Sequence, residues 1–100
     1  MFSWAASLFG AGRSGRWRSV REAHLRREPF CQACGRARDL EVHHITPVHA
    51  GGAELEPENL ISLCRDCHLS VGHAYNWMAY RPDVRAVARA IRAARVVTPN

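Results

Sequence analysis

Between residues 15 and 27 the chain has a helical pattern. Trp17, Val20 and His24 recur at i, i+3 and i+7 with Leu25 beside them, and Arg16, Arg18, Arg21, Arg26 and Arg27 are left to face outward. Pro29 ends this helix. Residues 40–48 switch to a short run rich in β-branched side chains, a strand stopped by Pro47, and Gly51 and Gly52 mark a loop. Residues 60–63 read as the returning strand of a hairpin with a long connection. A helix is expected from near Asp66 towards Val71, with Gly72 able to close it. Tyr75, Trp77, Met78 and Tyr80 are assigned to the core, with stacking on a base the lesser reading. Pro82 in the first turn and Asp83 beside it open a last helix, whose apolar face is Val84, Val87, Ala88 and Ile91. Two strands and a helix flanked by further helices make a small α+β domain.

One hundred residues give one domain with a core small enough to need a staple. The four cysteines supply one. Cys31 and Cys34 form one Cys-x2-Cys knuckle and Cys64 and Cys67 a second, the spacing of a tetrahedral zinc site rather than of a disulfide framework. Gly35 suits the tight turn of the first knuckle. The 29 residues between the knuckles leave room for an inserted working element. Reduced, metal-binding cysteines fit a soluble cytoplasmic protein. No positive n-region precedes the apolar residues 2–9, and nothing approaches the roughly 20 apolar residues of a membrane span, so neither secretion nor a membrane is expected.

All 14 basic residues are arginines, and their distribution changes the picture more than the net charge of +5. Residues 1–30 carry six arginines against two glutamates, residues 31–70 three against six acids, and residues 71–100 five against Asp83. Two basic flanks around an acidic centre fit a polyanion gripped on both sides of a metal site. The plainer reading is solvated helix faces in an arginine-rich composition. Arg85, Arg89 and Arg92, at i, i+4 and i+7, form a stripe of the right shape for phosphates. The string from Gly10 to Gly15 matches G-x-G-x-x-G, but without a preceding strand or room for a βαβ unit it reads as a flexible lead-in over residues 1–14. Glu54, Glu56 and Glu58 around Pro57 read as a solvated loop before a cation site, and His24 as a packed histidine before a ligand.

A site closed by four cysteines is structural, which leaves His43, His44 and His68 without a zinc role. A hairpin followed by a helix can bring His43 and His68 to one divalent cation, with positions open to water and phosphate oxygens. His44, kept off the metal and neutral near pH 7, can take a proton from an attacking water. Adjacent strand residues face opposite sides, so a bulge or strong twist is needed if both histidines serve one site. His73 lies beyond Gly72, which is expected to break the helix first, so its claim on metal or phosphate is a lesser one, as is that of His49 on phosphate.

Over residues 17–77 the sequence resembles the His-Asn-His (HNH) endonucleases, the ββα-metal nucleases. The features appear in order: Cys-x2-Cys, the His43-His44 strand, Pro47, Gly51 and Gly52, Asn59-Leu60, and Cys-x2-Cys followed by His68. The resemblance implies a ββα-metal core over residues 15–80 with a basic helix and tail, residues 81–100, packed on it. By position it makes His43 the first ligand of the catalytic metal, where many relatives have Asp, His44 the general base, His68 the second ligand, and Asn59 the residue whose amide ties the connecting loop to the hairpin. It further implies hydrolysis of DNA to 5′-phosphate and 3′-hydroxyl ends with structural zinc and one catalytic cation. Magnesium or manganese is expected there, and a histidine pair also suits nickel or zinc. The rival is a zinc-stabilised DNA-binding or adaptor module of a phage packaging or restriction complex with little activity of its own. A homodimer or such a partner, in a bacterial or phage-infected cell, remains open on both readings.

Overall fold

The computed structural model describes residues 14–97. Residues 1–13 of the expected lead-in, with most of the glycine string, and the last three residues of the expected tail lie outside them. Helix α1 spans Trp17–Arg27. Its last turn holds His24, Arg26 and Arg27, cations that complement the negative end of the helix dipole. Pro29 disfavours helical backbone at the residue before it, and Glu28 accordingly leaves the helix at φ −124° and ψ 77°.

Strand β1, Leu40–His44, pairs antiparallel with strand β2, Leu60–Cys64, in an unbroken register from Leu40 opposite Cys64 to His44 opposite Leu60. Side chains alternate across such a ladder. Glu41, His43, Ile61 and Leu63 therefore share one face, and Val42, His44, Leu60 and Ser62 share the other. Every residue of β2 is buried, so the strand is the centre of the molecule. Ile61, Leu63, Val71, Val84 and Ala88 form one core cluster with Cys31 and Cys64, and Val87 and Ile91 pack against it. The staple and the hydrophobic core are thus one body.

Strand β1 is shorter than expected. It stops at His44, and residues 48–50 form a 3-10 turn after Pro47. The physical reason is the loop's own tether: the Asn59 amide accepts from the Thr46 N–H at 2.9 Å and donates to the carbonyls of Thr46 at 2.9 Å and Ala53 at 2.8 Å. The loop folds back so closely that a Cβ on Gly52 would lie 1.8 Å from the Thr46 carbonyl oxygen, which restricts this position to glycine.

After β2 the chain makes a single α turn, α2, Arg65–Cys67, in which the Cys64 thiol caps the Cys67 N–H. It then widens into a π turn, His68–Gly72. Gly72 therefore does not break the helix ahead of His73, and the His73 N–H bonds to the His68 and Leu69 carbonyls at 3.1 and 3.2 Å. Residues 73–80 leave in an irregular turn, with Ala74 and Tyr75 at φ 52° and 68°. The aromatic residues of this segment are not core: Tyr75 is 78% exposed and Trp77 55%. Helix α3, Val84–Val97, closes the fold with Val84 and Ala88 buried on the core.

Candidate metal centres and active site

The knuckles place the four cysteine sulfurs within 4.8 Å of one another. Each knuckle folds its second N–H onto its first sulfur, Cys34 to Cys31 at 3.4 Å and Cys67 to Cys64 at 3.5 Å. Burial alone would raise the Cys31 pKa, but N–H groups of the surrounding backbone bring that thiol down to about 7. Burial pushes Cys67 up, and the neighbouring thiols push the same way. Four sulfurs so crowded cannot all ionise without a cation between them, and the cluster fits a zinc site.

A second cluster joins His43, His68 and His73, whose ligand atoms also lie within 4.8 Å of one another. The ring centroids of His43 stand 4.8 Å from those of both His68 and His73. His43 is 2% exposed, and its Nε2 is buried without a hydrogen-bond partner. An orphaned buried nitrogen costs free energy that a bound metal would offset. The other two rings are oriented from behind. The Nδ1–H of His68 donates to the Glu41 carboxylate at 2.7 Å, which Arg65 holds at 3.0 Å, and the Nδ1–H of His73 donates to the Ala79 carbonyl at 2.7 Å. Those acceptors leave the lone pair of each ring on Nε2, the arrangement of metal-ligating histidines. Burial, then the neighbouring imidazoles, lower the His43 pKa to about 3, so its ring is neutral at pH 7. Burial also lowers His68, against the opposing pull of Glu41. The residues present fit a divalent cation with three protein ligands, the number that leaves positions open.

His44 occupies the other face of β1. Its ring stacks on Trp17 of α1 at 4.8 Å and 28°, and its Nε2 lies 3.0 Å from the Glu54 carbonyl oxygen. A carbonyl only accepts, so in the neutral ring Nε2 carries the proton and Nδ1 the lone pair. No bulge turns His44 towards His43, because the β1–β2 register is continuous. The pair straddles the strand instead.

The expected arginine stripe divides. Arg85 bonds to Glu28 and to the Leu60 carbonyl, both at 2.8 Å, and Arg92 bonds to the Cys31 carbonyl at 3.1 Å with its guanidinium against Gly35. Both point inward because the face of α3 that carries them is the one next to β2 and the first knuckle. Arg89 is exposed, as is His49. His24 is packed, bonding to Glu28 at 3.0 Å. Glu54 uses its carboxylate to accept the Ser14 N–H at 3.0 Å.

Four residues of the site carried little signal in the sequence. His73 is five residues after His68, a spacing that serves one metal only through a π turn. Glu41 lies two residues before His43 on the same strand face, a period that does not by itself name His68 as its partner. Trp17 was read only as helix core. Trp77 lies with its ring centroid 5.3 Å from that of His68 and 4.8 Å from that of His73.

A hairpin, a following helical turn and a histidine centre between them define the ββα-metal class. Residues 31–74 match the profile of the HNH endonuclease family. Among solved structures the chain is similar to the type IV phosphorothioation-dependent restriction endonuclease ScoMcrA, with 26% identity and a TM-score of 0.51. The match covers 78% of this chain and 17% of that one, so the chain corresponds to about a sixth of the larger enzyme. No curated protein matches the chain. No helix among the described residues is long and apolar enough to cross a membrane.

Proposed function

We propose that the chain is a divalent-metal-dependent endonuclease that hydrolyses DNA phosphodiester bonds. The observation that carries this reading is the triad of His43, His68 and His73, with the orphaned His43 Nε2 and two rings whose Nδ1–H groups are already spent. Metal centres of this kind, beside a buried base, suit phosphoryl hydrolysis. The likeness to a restriction endonuclease supports DNA as the substrate.

His44 is assigned the role of general base. Its ring lies on the face of β1 opposite His43, at the last residue of the strand, so the substrate phosphate has to reach around the strand end to meet both. Its Nε2–H is held by the Glu54 carbonyl, so Nδ1 takes the proton of the attacking water as the oxygen closes on phosphorus. The bond to the 3′-oxygen breaks in line, leaving a 5′-phosphate and a 3′-hydroxyl. Asn59 is a positioning residue, since its three hydrogen bonds hold the loop whose next residue, Glu54, orients His44. A cation bound by the three imidazoles supplies Lewis-acid stabilisation of the charge on the phosphate and the departing oxygen. Three nitrogen ligands move the preference from magnesium towards nickel or zinc, because imidazole suits later transition metals. Zinc is assigned to the cysteine cluster as a structural ion.

The test is plasmid nicking by the zinc-loaded protein with a panel of divalent metals, for wild type and His44→Ala. Metal-dependent nicking lost in the variant is the expected result. Binding without cleavage under every metal would select the adaptor reading.

A further inference from the structure

Beside the histidine triad runs an open groove of about 410 Å³ lined by Arg65, Asp66, Leu69, Ser70, Tyr75 and Trp77. It adjoins the histidine cluster through Trp77, whose ring lies against those of His68 and His73. Its aromatic walls face solvent: Tyr75 is 78% exposed and Trp77 55%. Exposing two large aromatic side chains next to one another forgoes burial that the small core would otherwise gain. The backbone that presents them also costs energy, because Ala74 and Tyr75 both sit in the left-handed region that side chains with a Cβ disfavour. The turn is held from both ends, by the Tyr75 N–H on the Leu69 carbonyl at 2.9 Å and by His73 on Ala79 at 2.7 Å. Arg65 lies at the rim with most of its side chain in solvent, although one guanidinium nitrogen is engaged by Glu41.

The geometry points to a nucleobase-binding site: the groove takes one unpaired base of the substrate strand, stacked on Trp77 and Tyr75, with Arg65 at a neighbouring phosphate. A base seated there lies one ring from the metal ligands, so the strand it belongs to runs directly into the centre. Aromatic faces accept any base, whereas a base paired inside a duplex offers only its edges. Asp66 on the groove wall adds a carboxylate that disfavours phosphate inside the groove, which leaves the aromatic walls to a base and the phosphate to the rim. The inference rests on the proposed nuclease reading and adds its substrate class: DNA with an unpaired nucleotide beside the cleaved bond is preferred to intact duplex.

The experiment uses the full zinc-loaded chain and three matched oligonucleotides: a duplex, the same duplex with a single unpaired base, and the latter with that nucleotide made abasic. Binding is measured on the His44→Ala background, where the substrate survives, and cleavage on the wild-type background. Tyr75→Ala tests the groove without removing a ring from the triad. Trp77→Ala is paired with Trp77→Phe and with a metal titration, so that any disturbance of His68 and His73 is read directly. Tighter binding to the unpaired base than to the abasic form is expected, with Tyr75→Ala weakening only the base-bearing complex, by roughly 5- to 100-fold, the range for losing one stacked base. Trp77→Phe should retain most of what Trp77→Ala loses. Equal affinity for the base-bearing and abasic forms, or an equal effect of Tyr75→Ala on both, would overturn the inference and leave the aromatic pair to another partner. Should neither background cleave any substrate while the base-dependent binding persists, the nuclease reading falls and the groove stands.

Discussion

His68 and His73 stand five residues apart, and the π turn between them brings their ring centroids to 4.9 Å. In a regular α-helix residues share a face at three and four apart, not five. The wider turn is what brings His73 into the cluster with His43 and His68, and π turns of this kind often mark functional sites.

The third ligand gives the first prediction. His73→Ala should weaken binding of nickel or zinc at the histidine centre by at least about 10-fold while leaving the four-cysteine site loaded, and Glu41→Gln should cost about 10- to 100-fold, the usual effect of removing a partner behind a ligand. Calorimetric titration of the zinc-loaded protein reads both. Wild-type affinity in His73→Ala would return the centre to the two ligands His43 and His68.

The adjacent histidines should fail differently. His44→Ala keeps all three ligands, so metal affinity and DNA binding should survive while cleavage falls by roughly 10²- to 10⁴-fold, the share of general base catalysis. His43→Ala should lose metal affinity and regain some activity at high metal concentration. His43→Asp restores a ligand of oxygen type and should move the preference towards magnesium or manganese. Loss of metal binding in His44→Ala with normal binding in His43→Ala would reverse the two roles.

Cys64 touches both the sulfur cluster and the hydrophobic core, and its sulfur caps the Cys67 N–H. Cys64→Ser, or exhaustive chelation, should therefore unfold the domain, since structural zinc contributes folding free energy on the order of 10 kcal/mol in small fingers. Circular dichroism during chelation and re-addition of zinc follows it. A chelated protein that melts like the zinc-loaded one would remove the structural role.

The expected stripe on α3 should separate into Arg85 and Arg92, which hold the fold, and Arg89, which meets solvent. Arg85→Ala leaves Glu28 without its guanidinium and should lower stability by about 1.5–3 kcal/mol, the worth of a hydrogen bond to a charged group. Arg89→Ala should leave the melting temperature alone, and if Arg89 meets phosphate it should flatten the salt dependence of DNA binding by a slope of up to about 0.9.

The same network sets a pH dependence. Burial alone would raise the Glu28 pKa, but hydrogen bonds from Arg85 and the Ser62 N–H, with the Arg85 charge, hold it below its ordinary 4.5. Its contribution is thus complete above pH 4.5 and is lost as pH falls through the lowered value. Burial lowers His24 below 6.5, so the unfolded chain takes up a proton first and stability declines as pH drops from 6.5 towards the folded pKa. The stability gap between wild type and Glu28→Gln, measured by denaturant titration, should shrink as pH falls from 4.5 through the lowered Glu28 value. A gap that widens in acid would contradict the assigned sign.

The sequence by itself determined the α+β domain and the two cysteine knuckles that staple it. The knuckle spacing is local, and two thiolates three residues apart meet one ion whatever surrounds them, so Cys31, Cys34, Cys64 and Cys67 were legible as a zinc site. The order of His43, His44 and Asn59 between them, with His68 just after, carried the family likeness, and Asn59 does tie its loop to the hairpin. What only the tertiary structure decided lies in directions and distances that no local pattern encodes. Gly72 reads as a helix stop, yet a Cβ there would lie 3.3 Å from the His43 ring, so the glycine serves close packing and the helix widens past it to deliver His73. Arg85, Arg89 and Arg92 share one stripe in sequence, but which of them meets solvent depended on where Glu28 and the Cys31 carbonyl fall after packing. Trp17 and Trp77 are aromatic residues in apolar patterns, and both came to rest on histidines from elements distant in the chain. Periodicity reports which face of an element is apolar; it does not report what the fold brings against that face.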